Sequence, residues 1–211
     1  MRVFVVSAVF CLSLFSQFCR AESVALQHLT ALLDPVKSLR AHFEQTVSDA
    51  DNVVLQNSQG TIAVARGNRL RWETTSPFAY LIVTDGKVMW RYDHDLEQAT
   101  RQQFSGRLAD TPALILSGET QRIGADYAVT QTSSHGDESF QLSPRKKEGA
   151  LFGSLTLVFR RGTIAELVLQ DNLDQRTDIR FSALENNPVL ADSLFEFTPP
   201  KGVDVVIDDE P

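Results

Sequence analysis

Apolar and polar residues alternate through residues 60–99 in the pattern of consecutive antiparallel strands. Ile62 and Val64 share one face of the first strand, and Arg66 continues that face to the strand end. Turn signals that tolerate positive φ separate the strands, namely Gly67-Asn68 and Asp85-Gly86. The stretch therefore predicts a β-meander of three or four strands with an arginine at one strand end.

Further segments with the same period-2 alternation lie on both sides of this meander. They predict strands over 41–47, 53–59, 127–131, 139–143, 154–160, 164–170, 176–184 and 203–207. Phe195 and Phe197 also alternate with polar neighbours, and Arg161-Gly162-Thr163 predicts a tight hairpin turn. The chain is therefore predicted to be mainly β, with about ten or eleven antiparallel strands in a single domain. A twisted sheet of that size curls and can leave an interior that side chains only partly fill.

Two short helices are predicted beside the strands. Ser23 is a candidate N-cap, and leucines recur at helical spacing as far as Asp34-Pro35: Leu26, Leu29, Leu32 and Leu33. Pro112 is suited to a first helical position and precedes Leu114 and Ile115. The caps of this second helix are predicted to be Asp110 or Thr111 and Gly118. Each helix is simply a core-facing helix if the barrel is packed, and a lid if the barrel holds a cavity.

The first 21 residues have the features of a secretory signal peptide. A basic residue precedes a short apolar run, and Cys19 and Ala21 are small residues at the −3 and −1 positions. We expect cleavage after Ala21, export, and a mature domain over 22–211. Both cysteines lie in the removed segment, so the mature chain of roughly 190 residues would fold without disulfides. A lipid-modified Cys19 is the alternative, but Phe18 before it favours a protein without an anchor.

Charge and motif content argue against several functional classes. Without the signal peptide the chain has 18 basic and 27 acidic residues, a net charge of −9, which disfavours nucleic acid as a partner. It has no glycine-rich nucleotide loop, no Gly-x-Ser-x-Gly elbow and no cysteine nucleophile in the mature part. The four histidines lack metal-ligand spacing, and Asp93-His94-Asp95 is best explained as a hairpin end. We therefore expect no metal, no cofactor and no enzymatic activity.

Apolar and aromatic residues remain in excess without any recognisable catalytic group. Taken singly, each of them is more simply a core residue than a ligand contact. Together, on a curled sheet closed by helices, they favour an enclosed apolar pocket. The candidate lining residues are Phe43, Ile62, Val64, Leu70, Trp72, Trp90 and Tyr92.

A series of short motifs runs through most of the mature chain. They are Phe43-Glu44-Gln45, Gly60-Thr61 leading to Arg66, Leu70-Arg71-Trp72, the run from Leu81 to Lys87 with Trp90 and Tyr92, Glu97-Gln98-Ala99-Thr100, Thr111-Pro112, and the run from Phe197 to Val203. Each motif alone is weak, but their order and spacing are specific. In this order they resemble the LolA family, the outer-membrane lipoprotein carrier proteins of Gram-negative bacteria.

The resemblance implies an incomplete β-barrel, lidded by helices, that binds the acyl chains of lipoproteins. It implies uptake from an inner-membrane ABC transporter and delivery to an outer-membrane receptor lipoprotein, by what we expect to be a monomer. It also implies that Arg66 is a lid latch that hydrogen-bonds lid-helix groups in the closed state. The family often has Arg-Pro where this chain has Arg66-Gly67. The alternative function is a periplasmic lipid- or lipoprotein-sensing regulatory protein, since half-barrels of this kind also occur in sensors.

Overall fold

The computed structural model describes residues 22–104, 112–117, 120–146, 148, 150 and 152–208. The predicted signal peptide and the cap candidates Asp110, Thr111 and Gly118 lie outside these residues. Within the described part, no helix combines the length and apolar character that a membrane span requires.

Helices occupy a small part of the described chain. Helix α1 covers residues 22–33, and α2 is a single turn at Ile123–Asp126. The segment Pro112–Ser117, which we call the flap, is a 3-10 helix rather than the predicted α-helix. Two further 3-10 turns lie at Thr120–Arg122 and Asp192–Phe195.

Twelve strands form one sheet in the described residues. Their bounds are β1 Ser38–Ser48, β2 Val54–Ala65, β3 Arg69–Ser76, β4 Tyr80–Asp85, β5 Val88–Asp93, β6 Gln98–Gln103, β7 Tyr127–Ser134, β8 Asp137–Pro144, β9 Ser154–Arg160, β10 Thr163–Gln170, β11 Arg176–Asn186 and β12 Asp204–Asp208. The strand order is β12-β6-β5-β4-β3-β2-β1-β11-β10-β9-β8-β7. The β12–β6 pair is parallel, and the other pairs are antiparallel. The predicted mainly β fold class is confirmed, with one open sheet of twelve strands where an incomplete barrel of about ten or eleven is predicted.

Two local predictions differ from the structure. The alternation predicts two separate strands, over 53–59 and 61–66, but β2 runs unbroken through Gly60. Gly60 pairs with Phe43 of β1. A Cβ at Gly60 would lie 1.9 Å from the Glu73 carbonyl oxygen and 2.9 Å from the Phe43 ring, so glycine makes room for both the β3 backbone and that ring. Phe195 ends a 3-10 turn instead of a strand, and it packs against Ala63 and Ala65.

The two faces of the curled sheet bury different sets of residues. On the concave face, Leu39 pairs with Val64, which pairs with Leu70, and all three are buried. Leu29 and Leu33 of α1 pack onto the same cluster and are 0% and 1% exposed. Each buried leucine contributes about 1.5–3 kcal/mol, so hydrophobic burial is the main force that holds α1 on the sheet.

The convex face is covered at one end by the chain that follows β11. Phe197 packs on the rings of Trp90 and Tyr92, with centroid distances of 5.6 and 5.4 Å. The guanidinium of Arg69 lies 5.2 Å from the centroid of the Phe195 ring, within the range of a cation–π contact. This carboxy-terminal segment therefore fixes the outside of the meander, where neither α-helix of the described structure packs.

Two hairpin turns meet at the end of the sheet where Arg66 lies. Gly67 and Asn68 have φ values of 82° and 58°, so proline, whose φ is fixed near −65°, does not fit the observed conformation at position 67. Gly86 has φ 91°, and a Cβ there would lie 2.2 Å from the Gly67 carbonyl oxygen. Glycine at position 86 is therefore required by both backbone conformation and close approach.

Gly86→Ala is expected to lower the free energy of unfolding by about 2–4 kcal/mol, from left-handed strain plus the clash with Gly67. Gly136→Ala is a matched control, because Gly136 has φ 88° and an added methyl group there would meet no atom within 4 Å. It should cost only the strain, about 1–2 kcal/mol. Urea unfolding of both variants measures the difference, and equal losses would contradict the close approach of the two turns.

Candidate functional site

A cavity of about 460 Å³ lies on the concave face between the flap and the hairpin tips of the sheet. Its apolar wall comes from five strands and includes Trp72, Ile82, Leu155, Leu167, Leu169 and Ile179. Pro112 and Ala113 of the flap close one side. The volume falls in the range of about 300–1,000 Å³ typical of pockets for small organic ligands.

The predicted lining residues divide into three groups. Trp72 lines the open cavity, with its ring 4.0 Å from the ring of Phe43. Phe43, Ile62, Val64 and Leu70 lie on the same concave face, but they are already buried within the core cluster that includes the lid leucines. These four would become cavity surface only if the lid moved away.

Trp90 and Tyr92 form the third group, and their prediction as cavity residues is corrected by the structure. Trp90 pairs with Val83, whereas the neighbouring Ile82 lines the cavity, so Trp90 lies on the opposite face of the sheet. Tyr92 shares that face, and both rings pack in a separate cluster with Phe197. They pack on the convex side of the sheet and do not line the cavity.

The lid consists of α1 and the flap. Both elements direct apolar side chains into the concave cluster; Leu29, Leu33, Leu114 and Ile115 are almost fully buried there, and Leu26 is partly buried. Pro112 lies at the cavity edge. The lid leucines therefore cover the part of the concave face that lies outside the cavity.

Arg66 reaches the segment immediately after α1. Its guanidinium donates hydrogen bonds to the backbone carbonyl oxygens of Asp34 and Val36, the second at 3.4 Å. Its own backbone N–H donates to the Lys37 carbonyl at 3.0 Å. A cation close to the last carbonyl groups of a helix is favourable electrostatically, because those carbonyls carry partial negative charge. The arginine thus ties the β2–β3 turn to the end of the lid helix.

Asn187 holds the same segment from the other side. Its side-chain nitrogen donates to the Pro35 carbonyl at 3.1 Å, and its side-chain oxygen accepts the Lys37 N–H at 2.6 Å. Three consecutive carbonyl groups, at positions 34, 35 and 36, are therefore held by two side chains. We call residues 34–37 the hinge segment.

Asp34 also links the two lid elements. Its carboxylate accepts a hydrogen bond of 2.9 Å from the hydroxyl of Thr120, which follows the flap. At the middle of α1, His28 lies 3.0 Å from the side-chain nitrogen of Gln131 and 3.6 Å from a carboxylate oxygen of Glu138. Its ring also meets Phe140 edge-on at a centroid distance of 5.4 Å. Polar contacts thus hold α1 at its middle and at its end.

The contacts of Asn187 and of the Asp34 carboxylate were not predicted from the sequence. Asp34 and Asn187 each precede a proline, which suggested only the end of a helix and a break between strands. Their partners lie as far as about 150 positions away, and spacing along the chain carries no signal for such a contact. The unusual φ of 57° at Asn187 is visible only in the structure.

Tyr80 and Asp93 are the titratable side chains among the described residues that line the cavity. Burial raises the pKa of the Tyr80 phenol, opposed by Arg91 and reinforced by Asp93, so the phenol stays protonated and can donate a hydrogen bond. Within the described residues, no group of three His, Cys, Asp or Glu side chains is placed to hold a metal ion. The arrangement is suited to binding an apolar ligand.

The comparison with known protein families identifies the family of this chain. The chain matches the family described as "Outer membrane lipoprotein carrier protein LolA" over residues 34–198. It belongs to the LolA family. Relatives named outer-membrane lipoprotein carrier protein include one from Azotobacter vinelandii, 39% identical over 97% of each chain, and one from Coxiella burnetii, 36% identical over 88% of each.

A solved structure supports the fold independently of the LolA family match. An uncharacterized conserved protein from Thermus thermophilus superposes with a TM-score of 0.54 at 13% identity. The match covers 86% of this chain and 98% of that protein. At such low identity the likeness concerns the fold alone.

Arg66→Leu removes both guanidinium hydrogen bonds to the hinge segment. We expect backbone amides near the end of α1 to exchange hydrogen about five- to thirtyfold faster, corresponding to a loss of about 1–2 kcal/mol. Hydrogen exchange with mass spectrometry measures this effect. Arg40→Leu is the control, since Arg40 binds the exposed Glu185 away from the lid. Unchanged exchange in Arg66→Leu would show that the contact does not restrain α1.

Proposed function

We propose that this chain is a periplasmic lipoprotein carrier that holds acyl chains on its concave face. The observation that carries the proposal is the apolar cavity, which continues beneath a lid whose own leucines cover the rest of that face. Family membership and the names of relatives across nearly the whole chain support it. The protein acts by binding and release, without catalysis.

The amino-terminal residues 1–21 serve as a signal peptide in this proposal, with cleavage after Ala21 and a carrier domain over 22–211. The sequence pattern supports export, and a periplasmic location is where a carrier between two membranes would work. Sequencing the amino terminus of the secreted protein tests this step, and a mature chain beginning at Cys19 would contradict it.

Loading requires the lid to move. The cavity has the volume of a single small ligand, whereas a lipoprotein brings two or three acyl chains. Displacing α1 and the flap would uncover Phe43, Ile62, Val64 and Leu70, so that acyl chains replace the lid leucines on one apolar surface. The closed protein keeps this surface dry when no ligand is present.

Transfer in this scheme depends on the relative affinities of the successive proteins for the acyl chains. Burying an acyl chain is worth about 0.8 kcal/mol per methylene, so a lipoprotein does not cross water unaided. Loading is driven by an inner-membrane ABC transporter, and unloading by an outer-membrane receptor that binds the chains more tightly. The carrier itself needs only an intermediate affinity, which the closed lid adjusts by competing with the ligand.

A lipid-sensing regulatory protein would use the same kind of cavity. It is not favoured, because the relatives that cover 88–97% of this chain carry the name of a lipoprotein carrier.

Ile179→Gln places an amide on the cavity wall and is expected to weaken binding of a fluorescent diacyl lipopeptide about tenfold or more. Val168→Gln is the matched control on the neighbouring strand, where Val168 pairs with Asp178 on the opposite face from the cavity. Fluorescence titration measures both affinities. Equal affinity in the two variants would contradict ligand binding in this cavity.

Arg66→Leu is expected to slow release of the same lipopeptide about five- to thirtyfold, because the weakened closed state competes less with the ligand. Stopped-flow transfer of the lipopeptide to acceptor vesicles measures the off-rate, with Arg40→Leu as control. A wild-type off-rate in Arg66→Leu would exclude Arg66 as a latch. Co-purification of the wild-type protein with triacylated lipoprotein tests the function as a whole, and a carrier that never captures one refutes it.

A further inference from the structure

On three strands, β1, β3 and β11, the cavity wall changes from apolar to polar toward the hairpin tips, whereas Phe78, Ala79 and Leu169 keep other parts of that end apolar. On β3, Thr74 follows Trp72 on the concave face, and on β11 Thr177 precedes Ile179. The same change occurs from Phe43 to Gln45 on β1. Five lining side chains form this polar rim, which we call the collar: Gln45, Gln56, Ser58, Thr74 and Thr177.

The collar side chains have no hydrogen-bond partner among the residues that the structure describes. Polar residues on the other face of the same strands are paired, as the 2.9 Å bond from the Thr46 hydroxyl to Asn57 shows. The adjacent Gln45 and Ser58 face each other across β1 and β2 and point into the cavity without such a bond. Their amide and hydroxyl donors are therefore available to a ligand.

The charges around the collar select for a neutral ligand group. Asp93 is the charged residue among the described lining residues, and its carboxylate accepts the N–H groups of Asp95 and Leu96. The described lining residues include no lysine or arginine, and Arg91, which acts on the pKa of Tyr80, lies outside the lining and donates a hydrogen bond to Gln102. Amides and hydroxyls can instead donate to neutral carbonyl oxygens.

We propose that the collar binds the carbonyl oxygens of the fatty-acyl ester groups that join acyl chains to the lipoprotein. The inference rests on the proposed function and adds the chemistry of the ligand's polar end. The carbonyl group lies at one end of each ester-linked acyl chain. A chain that packs against the apolar wall would therefore place its carbonyl group beside the collar. The collar lies one concave-face step from that wall, about 6.6–6.8 Å along a strand. It thereby sets how deeply each chain enters.

The test compares two fluorescent lipopeptides that differ only in the glyceryl linkage, one with diacyl esters and one with dialkyl ethers. The ether form keeps the apolar chains and lacks the carbonyl acceptors. We expect the wild-type protein to bind the ester form about five- to tenfold more tightly, as for one or two net hydrogen bonds. This comparison needs no variant, so folding does not enter it.

The double variant Gln45→Leu/Thr177→Val is expected to bind both forms within about twofold of each other. Thr46→Val, on the outer face of β1, should keep the ester preference. Equal binding of both forms by the wild-type protein, or an ester preference that persists in the double variant, would overturn the collar. If the wild-type protein bound neither form, the proposed function itself would fail, so the two failures are distinguishable.

Discussion

An apolar concave surface has to be covered, and this single constraint organises the molecule. The curled sheet turns a face of aliphatic and aromatic side chains inward, from Leu39 and Val64 to Leu157 and Leu167. Leaving such a face in water would cost several kcal/mol for every few side chains. In the closed structure α1 and the flap cover the part of it that lies outside the cavity. A ligand with acyl chains can therefore bind by replacing protein leucines, with little net change in the area exposed to water.

The polar contacts of the hinge segment contribute much less free energy than that exchange of apolar surface. This difference is suited to a carrier, which has to bind its ligand and release it. A hydrogen bond contributes about 0.5–1.5 kcal/mol net, whereas two buried methylenes contribute more than about 1 kcal/mol. Arg66, Asn187 and Thr120 can therefore shift the balance between closed and loaded states without preventing loading. Because Asp34 bonds both Arg66 and Thr120, release of the hinge would loosen α1 and the chain after the flap together. In the proposed loading scheme, Asp34 would therefore couple the movement of the two lid elements.

Sequence patterns predicted the meander, its turns and the lid helices, because these depend on local periodicity and on residues that tolerate positive φ. The pattern could not assign the correct face to Trp90 and Tyr92. In β4 both faces are apolar, with Ile82 on one and Val83 on the other, so alternation does not say which face is concave. In β5 the more apolar face, which carries Trp90 and Tyr92, is the convex one. That choice depends on Phe197, which returns from the far end of the chain to cover the convex side. The hinge contacts of Asn187 were hidden for the same reason, since they join residues distant in sequence.

The corrected position of the aromatic residues changes how the wall works. Trp90 and Tyr92 pack against Phe197 on the convex face, so this packing stabilises the meander without involving the lid. Lid movement can then expose the concave face without loosening the strands that form it. Gly86 and Gly67 add a close backbone contact at the end of the sheet where Arg66 is held. In the loading scheme proposed above, a rigid wall under a displaceable lid would keep the binding surface the same in both states, and the affinity for acyl chains would then depend on how readily the lid leaves.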